Sequence, residues 1–81
     1  MSPEAKIIGF LKELLSNKVI SKKKEFYDAI GISRQHFRMI EKEGRRFTSS
    51  HIKALCNAYN INANWILGIE EEQYRTQNNE Q

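Results

Sequence analysis

Hydrophobic positions recur at helical spacing through most of the chain and predict a series of short helices. The first helix is expected to begin at Ser2-Pro3, because serine can cap a helix and proline is tolerated in the first turn, and to end within residues 16–18. Its apolar positions form a wide stripe that requires burial, which indicates a core helix. The stripe comprises Ile7, Ile8, Phe10, Leu11, Leu14 and Leu15.

Residues 22–42 predict two further helices separated by a tight turn. The first should begin after Ser21 and the second after Ser33, since a serine hydroxyl can accept hydrogen bonds from the free N–H groups of a first helical turn. Gly31 lies between them and permits the left-handed backbone that ends a helix. The inward positions of the pair are spaced i, i+4 or i, i+3: Phe26, Ile30, Phe37 and Ile40.

The rest of the pattern predicts two more helices and a tail. Thr48 or Ser49 should cap the fourth helix, and Asn62 should cap a short fifth helix in which Trp65 is buried with its indole N–H bonded to a carbonyl. The predicted fold is therefore all-α, a compact bundle of about five helices over residues 1–69. Residues 70–81 are polar and acidic and are expected to form a disordered tail or a linker.

The outer face of the third helix has an unusual composition. No acid stands among its residues, which are Arg34, Gln35, Arg38, Met39 and Lys42. In the major groove of DNA, arginine can bond to guanine and glutamine to adenine, and an apolar side chain such as methionine can contact the thymine methyl group. Two helices joined by a short glycine turn, the second carrying such residues, make a helix-turn-helix arrangement.

Residues 21–68 resemble the lambda-repressor-like, Cro/repressor (XRE) family of helix-turn-helix proteins. The residues that carry this resemblance are Phe26, Gly31, Ile32, Ser33, Phe37, Ile40, Glu41, Gly44 and the closing Asn64-Trp65-Ile66-Leu67-Gly68. The resemblance implies a compact all-α DNA-binding domain whose recognition helix, residues 33–42, enters the major groove.

The chain departs from the family pattern at two positions. Tyr27 stands where the family normally has alanine, which implies either a different interhelical angle or a ring displaced sideways. Leu15 stands where an arginine often pairs with the acid at Glu41, so Glu41 would need another partner: Arg45, Lys42 or a helix N-terminus. The loop after Glu41 also looks one residue longer than usual.

The basic charge is concentrated on the helix-turn-helix region. The net charge of the chain is only +3, but residues 18–53 hold ten Lys/Arg against four Asp/Glu, a net of +6. Residues 70–81 hold one Arg against four Glu, a net of −3. This distribution is typical of a surface that binds a polyanion.

The candidate DNA contacts divide into two groups. The expected base contacts are Ser33, Arg34, Gln35, Arg38 and Met39. The expected phosphate contacts are Lys22, Lys23, His36, Lys42, Arg45, Arg46 and Ser49. Lys22 and Lys23 stand at the positive end of a helix dipole, an unfavourable placement that an incoming phosphate would relieve.

The sequence gives little support for catalysis or metal binding. His51 and Cys56 lie five residues apart, on different faces of a helix, and neither they nor His36 has a recognised metal-ligand spacing. No enzyme activity, cofactor, metal or small-molecule ligand is therefore expected. The single cysteine, the lack of a secretory signal and the absence of a membrane-spanning apolar run predict a cytoplasmic protein with no membrane partner.

The sequence thus predicts a sequence-specific regulator of transcription that binds double-stranded DNA, a phage-type repressor or its N-terminal domain. It should bind a near-palindromic operator as a homodimer, with the last helix around Ile66 and Ile69 as the dimer surface. The alternative is an antitoxin or small helical interaction module that acts on a protein partner through its first helix or tail.

Overall fold

A computed structural model describes residues 2–76 of the chain and confirms an all-α fold. Within those residues there are five helices: α1 Pro3–Ser16, α2 Lys23–Ile30, α3 Arg34–Glu43, α4 Ser49–Tyr59 and α5 Ala63–Ile66. None of these helices is both long and apolar enough to cross a membrane.

Four of the helices begin at the predicted capping residues. The Ser2 hydroxyl accepts the Ala5 N–H at 3.0 Å at the start of α1, and Asn62 and Thr48 accept in the same way at the starts of α5 and α4. Thr48, rather than Ser49, is therefore the cap of α4. These local hydrogen bonds satisfy N–H groups that a helix leaves free.

The start of α2 differs from the prediction. Lys22, not Ser21, occupies the N-cap position, and the capping group is the carboxylate of Glu25. Glu25 Oε2 accepts the Ser21 hydroxyl at 2.8 Å and the backbone N–H groups of Ser21 and Lys22 at 3.1 and 3.2 Å. The hydrogen bonds from Ser21, supported by one from Lys22, lower the pKa of Glu25. An anion thus sits within the first turn and offsets part of the unfavourable lysine charge there.

The core is built around α2. Phe26 is fully buried, and its ring stacks on Tyr59 of α4 at a centroid distance of 5.8 Å. The same ring meets the edges of Phe10 of α1 and Phe37 of α3 at 6.5 and 6.3 Å. One side chain therefore links α2 to three other helices, and its contacts hold the helix-turn-helix onto the rest of the domain.

The ring of Tyr27 stays inside the interface between α2 and α3. It is buried, and its centroid lies 4.9 Å from that of Phe37. Burial raises the pKa of Tyr27, the charge of Glu41 raises it further, and Arg34 lowers it. The large side chain thus fills the space between the two helices and is not displaced sideways into solvent.

The last helix presents a different face from the one expected. Ile66 is fully buried, so the predicted dimer surface around Ile66 and Ile69 is wrong for Ile66. Ile69 is 69% exposed and Leu67 57% exposed. Trp65 is only half-buried, also against prediction, and its indole N–H forms no hydrogen bond within the described part of the chain. Instead the Lys6 ammonium donates to the Trp65 carbonyl at 2.6 Å and lies 5.2 Å from the centre of its ring.

Part of the segment expected to be disordered packs on the domain. Tyr74 forms an antiparallel bridge with Ile61, and its ring meets the edge of Phe10 at 6.3 Å. Arg75 donates from its side chain to the carbonyl of Cys56 in the last turn of α4 and to that of Ile61 just beyond the helix. The expectation of disorder is therefore wrong for residues 73–75, whereas residues 77–81 lie outside the described part of the chain.

Candidate nucleic-acid interface

The third helix is held at both ends and along its inner face. Ser33 Oγ accepts the His36 N–H at 3.0 Å at its start, and Gly44 adopts a left-handed conformation, with φ of 72°, directly after its end. Gly31 adopts the same φ at the end of α2, as the turn requires. Phe37 and Ile40 anchor the inner face in the core. The caps and the buried side chains thus fix the orientation of α3, and the side chains of its outer face remain available for other contacts.

Two parallel rows of side chains make up that outer face. Arg34, Arg38 and Lys42 are spaced i, i+4, i+8 and form what we call the cationic row. The second row has the same spacing and we call it the mixed row; its members are Gln35, Met39 and Glu43. Together the two rows line one shallow concavity of about 520 Å³.

The cationic row is unfavourable for the isolated helix. Like charges at i, i+4 destabilise a helix by about 0.2–0.5 kcal/mol per pair, and this row contains two such pairs. Within residues 2–76 the one ion pair joins Lys24 to Asp28 at 2.8 Å, so no acid forms an ion pair with the row. The arrangement is typical of a surface whose charge is balanced by an external anion.

The concavity brings together five of the predicted contact residues: Arg34, Gln35, Arg38, Met39 and Lys42. A second groove of about 480 Å³ lies between α2 and α3 and adjoins it, since Arg34 lines both. Lys23 and Ser33 line this second groove, with Tyr27 on its wall. A ligand spanning the two depressions would meet both helices of the motif.

The remaining predicted residues lie elsewhere on the domain. Lys22 is exposed at the start of α2, and Arg45 and Arg46 line a depression beside the start of α1. Ser49 lines a mostly apolar groove between α4 and α5. His36 is half-buried, with its ring 5.2 Å from that of His51. The roles suggested for these residues remain predictions.

The contacts of the two histidines are accounted for by the cap of α4 and by packing against each other. His51 is buried, and its side-chain Nδ1 accepts the Thr48 backbone N–H at 3.2 Å, while the His51 backbone N–H donates to the Thr48 hydroxyl at 3.2 Å. Burial, and then the nearby His36, lower the pKa of His51. The described residues contain no group of three or more His, Cys, Asp or Glu side chains placed to hold a metal ion. The reciprocal bonds of His51 and Thr48 make a capping box for α4.

Two acidic residues on α3 differ from expectation. Glu41 has no ion pair in the described part of the chain, so neither Arg45 nor Lys42 is its partner. Glu43, which the sequence reasoning missed, is the last residue of α3 and lines the concavity with the basic residues. The sequence assigns Glu43 no role because the predicted recognition helix ends at Lys42. The i+4 spacing from Met39 was the signal that would have found it.

The comparison with known families agrees with this geometry. A family model described as the Cro/C1-type HTH DNA-binding domain matches residues 11–72, which include the end of α1 and all of α2 to α5. A search among curated proteins and a search among solved structures found no significant match. The family match spans well over half of the chain and contains both helices of the motif with the concavity that they position. The chain therefore belongs to the family of Cro/C1-type helix-turn-helix DNA-binding domains.

Proposed function

We propose that this protein is a sequence-specific transcriptional regulator, a repressor, that inserts α3 into the major groove of double-stranded DNA. The observation that carries the proposal is the concavity on α3, where a cationic row without an ion pair in the described residues runs beside groups able to bond to base edges. In a Cro/C1-type domain this helix is the one placed to enter the groove.

The proposed base contacts follow from side-chain chemistry. Arg34 and Arg38 offer paired donors to guanine O6 and N7, and Gln35 can bond to adenine N6 and N7. Met39 is half-buried and apolar, which suits contact with a thymine methyl group. Ser33, beside Arg34 at the start of the helix, would contact a base or a phosphate. Each base contact should cost about 1–3 kcal/mol when removed and relax specificity at one position.

The proposed backbone contacts lie within the concavity, in the adjoining groove and at other places on the domain. Lys23 and Arg34 share the groove between α2 and α3, so a phosphate at that edge would meet both side chains. The other residues proposed for phosphate contact are Lys22, His36, Lys42, Arg45, Arg46 and Ser49. Removing one phosphate contact should weaken binding to all sequences equally and reduce the log–log salt slope by about one unit.

We further propose a symmetric dimer on a near-palindromic site, with recognition helices about 34 Å apart. Because Ile66 is buried, the dimer surface is assigned to Leu67, Ile69 and the groove between α4 and α5. That groove is lined largely by apolar groups, including Ile52 and Cys56. A second copy would cover the exposed Leu67 and Ile69 side chains.

The test is selection of bound duplexes from a random DNA pool at physiological salt. The wild-type domain should recover an inverted repeat, and the double variant Arg34→Ala/Gln35→Ala should lose it. Lys12→Ala is the matched control, since it removes an exposed cation from α1, outside both the concavity and the groove between α4 and α5. Recovery of unenriched DNA would overturn sequence-specific recognition. Failure to retain any DNA would favour the alternative of an antitoxin or interaction module that binds a protein partner.

A further inference from the structure

Glu43, the last residue of α3, places a negative charge on the surface that is proposed to face the DNA phosphates. Glu43 is exposed and shares the concavity with Arg34, Arg38 and Lys42. It forms no ion pair within residues 2–76. A negative side chain in the last turn of a helix is also disfavoured by the helix dipole. The cations nearby favour a carboxylate in general, but no direct bond within the described residues fixes this one, so its oxygens are free to accept from a ligand in the concavity.

We propose that Glu43 is a specificity-determining residue that accepts a hydrogen bond from the exocyclic amino group of a cytosine in the major groove. This inference rests on the proposed function, and it extends the base-reading surface to the full length of the mixed row. Gln35 and Glu43 are eight residues apart, so their Cα atoms are separated by about 12 Å along the helix axis. At about 3.4 Å per base step, the two residues would contact positions roughly three to four base pairs apart.

The chemistry of the groove selects the base. An ionised carboxylate is an acceptor only, so it is repelled by guanine O6 and N7 and by thymine O4. Adenine offers a donor at N6, but its N7 acceptor lies beside that donor and would face the second carboxylate oxygen. Cytosine offers the N4 amino group with no acceptor next to it on the same ring edge, which makes it the base that suits Glu43.

The charge also adds discrimination against unspecific binding. A carboxylate directed toward DNA without a cytosine opposite it is desolvated without a partner, and phosphates nearby repel it. The cationic row attracts any duplex, whereas Glu43 penalises duplexes that lack the matching amino group. Glu43 would thus add selectivity to a face whose positive charge supplies affinity and whose Arg34 and Arg38 also read guanine.

The test compares Glu43→Ala and Glu43→Gln with the wild type in duplex selection, followed by competition binding to sites that differ at one base pair. Glu41→Gln is the matched control, because it removes the same charge from an exposed position on the same helix outside the concavity. Circular dichroism establishes that each variant is folded. Wild type should prefer cytosine at one position, and Glu43→Ala should lose about tenfold discrimination there.

Glu43→Gln should move the preference toward adenine, since an amide can both accept from N6 and donate to N7. Glu41→Gln should leave the selected motif unchanged. If both Glu43 variants bind all sequences more tightly with the same base preferences, Glu43 acts only by repulsion and the inference is overturned. An unchanged motif in Glu43→Ala overturns it as well. A wild-type domain that selects no motif overturns the proposed function itself, so the two failures are distinguishable.

Discussion

Arg75 is predicted to stabilise the fold although it lies in a segment whose sequence is polar and aperiodic. Its guanidinium donates to the Cys56 carbonyl, to Asn57 Oδ1 at 3.1 Å and to the Ile61 carbonyl at 3.3 Å. Two of these acceptors are carbonyls at or just beyond the end of α4, where the helix leaves such groups free and its dipole favours a cation. Arg75→Ala should therefore destabilise the domain.

The magnitude follows from the exposure of the side chain. Hydrogen bonds from charged donors contribute about 1.5–3 kcal/mol each in favourable settings, but ordering an arginine costs up to about 2 kcal/mol of rotamer entropy. Because Arg75 is exposed, the net loss on Arg75→Ala should be about 1–2 kcal/mol. For a domain of this size that corresponds to a fall in Tm of roughly 4–16 °C.

The assays are urea denaturation and thermal unfolding, both monitored by circular dichroism. Lys12→Ala, an exposed position on α1, is the control and should change the free energy of unfolding by less than about 0.5 kcal/mol. Tyr74→Ala should cost about 0.5–1.5 kcal/mol through its contact with Phe10. The two losses should be less than additive, because either change releases the same bridge to Ile61. An Arg75→Ala variant as stable as the control would refute the reasoning.

Three further predictions concern the turn, the α4 cap and the last helix. Gly31→Ala should lower the free energy of unfolding by about 1–2 kcal/mol, since its φ of 72° strains any side chain although space is open there; an unchanged urea midpoint would contradict this. Stability should fall as the pH drops below about 6.5, because burial lowers the pKa of His51 and the unfolded chain then binds a proton that the folded chain does not. His51→Gln, which can still cap Thr48, should flatten that dependence in thermal unfolding between pH 7.5 and 5, and an equal slope would count against His51. Ile66→Ala should cost about 2–5 kcal/mol and Leu67→Ala less than about 1 kcal/mol in dilute protein; equal losses would contradict the observed orientation of α5.

The sequence predicts most of the fold because most of its determinants are local. Serine, threonine and asparagine caps act on N–H groups two or three residues away, and a glycine turn depends on its own φ. The start of α2 was misplaced because two local caps compete there. The Glu25 carboxylate bonds to the residues before the helix and shifts the boundary from Ser21 to Lys22.

The features that could not be predicted depend on contacts distant in sequence. Arg75 binds carbonyls that come together only when α4 and the following loop have folded, so residues 73–75 carry no periodic signal of their own. In α5 a four-residue helix is too short for a periodic pattern to show whether Trp65 or Ile66 faces the core. The five residues predicted for the outer face of the third helix all line the concavity, whereas Glu43 was not predicted because the helix extends one residue beyond Lys42.

The two helices of the motif resolve their charge conflicts differently. In α2 the domain itself supplies the compensation, since Glu25 caps the lysine-rich first turn and Lys24 pairs with Asp28. In α3 the repulsion within the cationic row and the acid at the C-terminal end are each unfavourable for the helix, and neither the row nor the acid forms an ion pair in the described part of the chain. Local rules that a sequence breaks without internal compensation are expected at functional sites. If DNA supplies the missing partners, its binding should relieve these conflicts and raise the stability of the domain in proportion to the logarithm of DNA concentration above Kd.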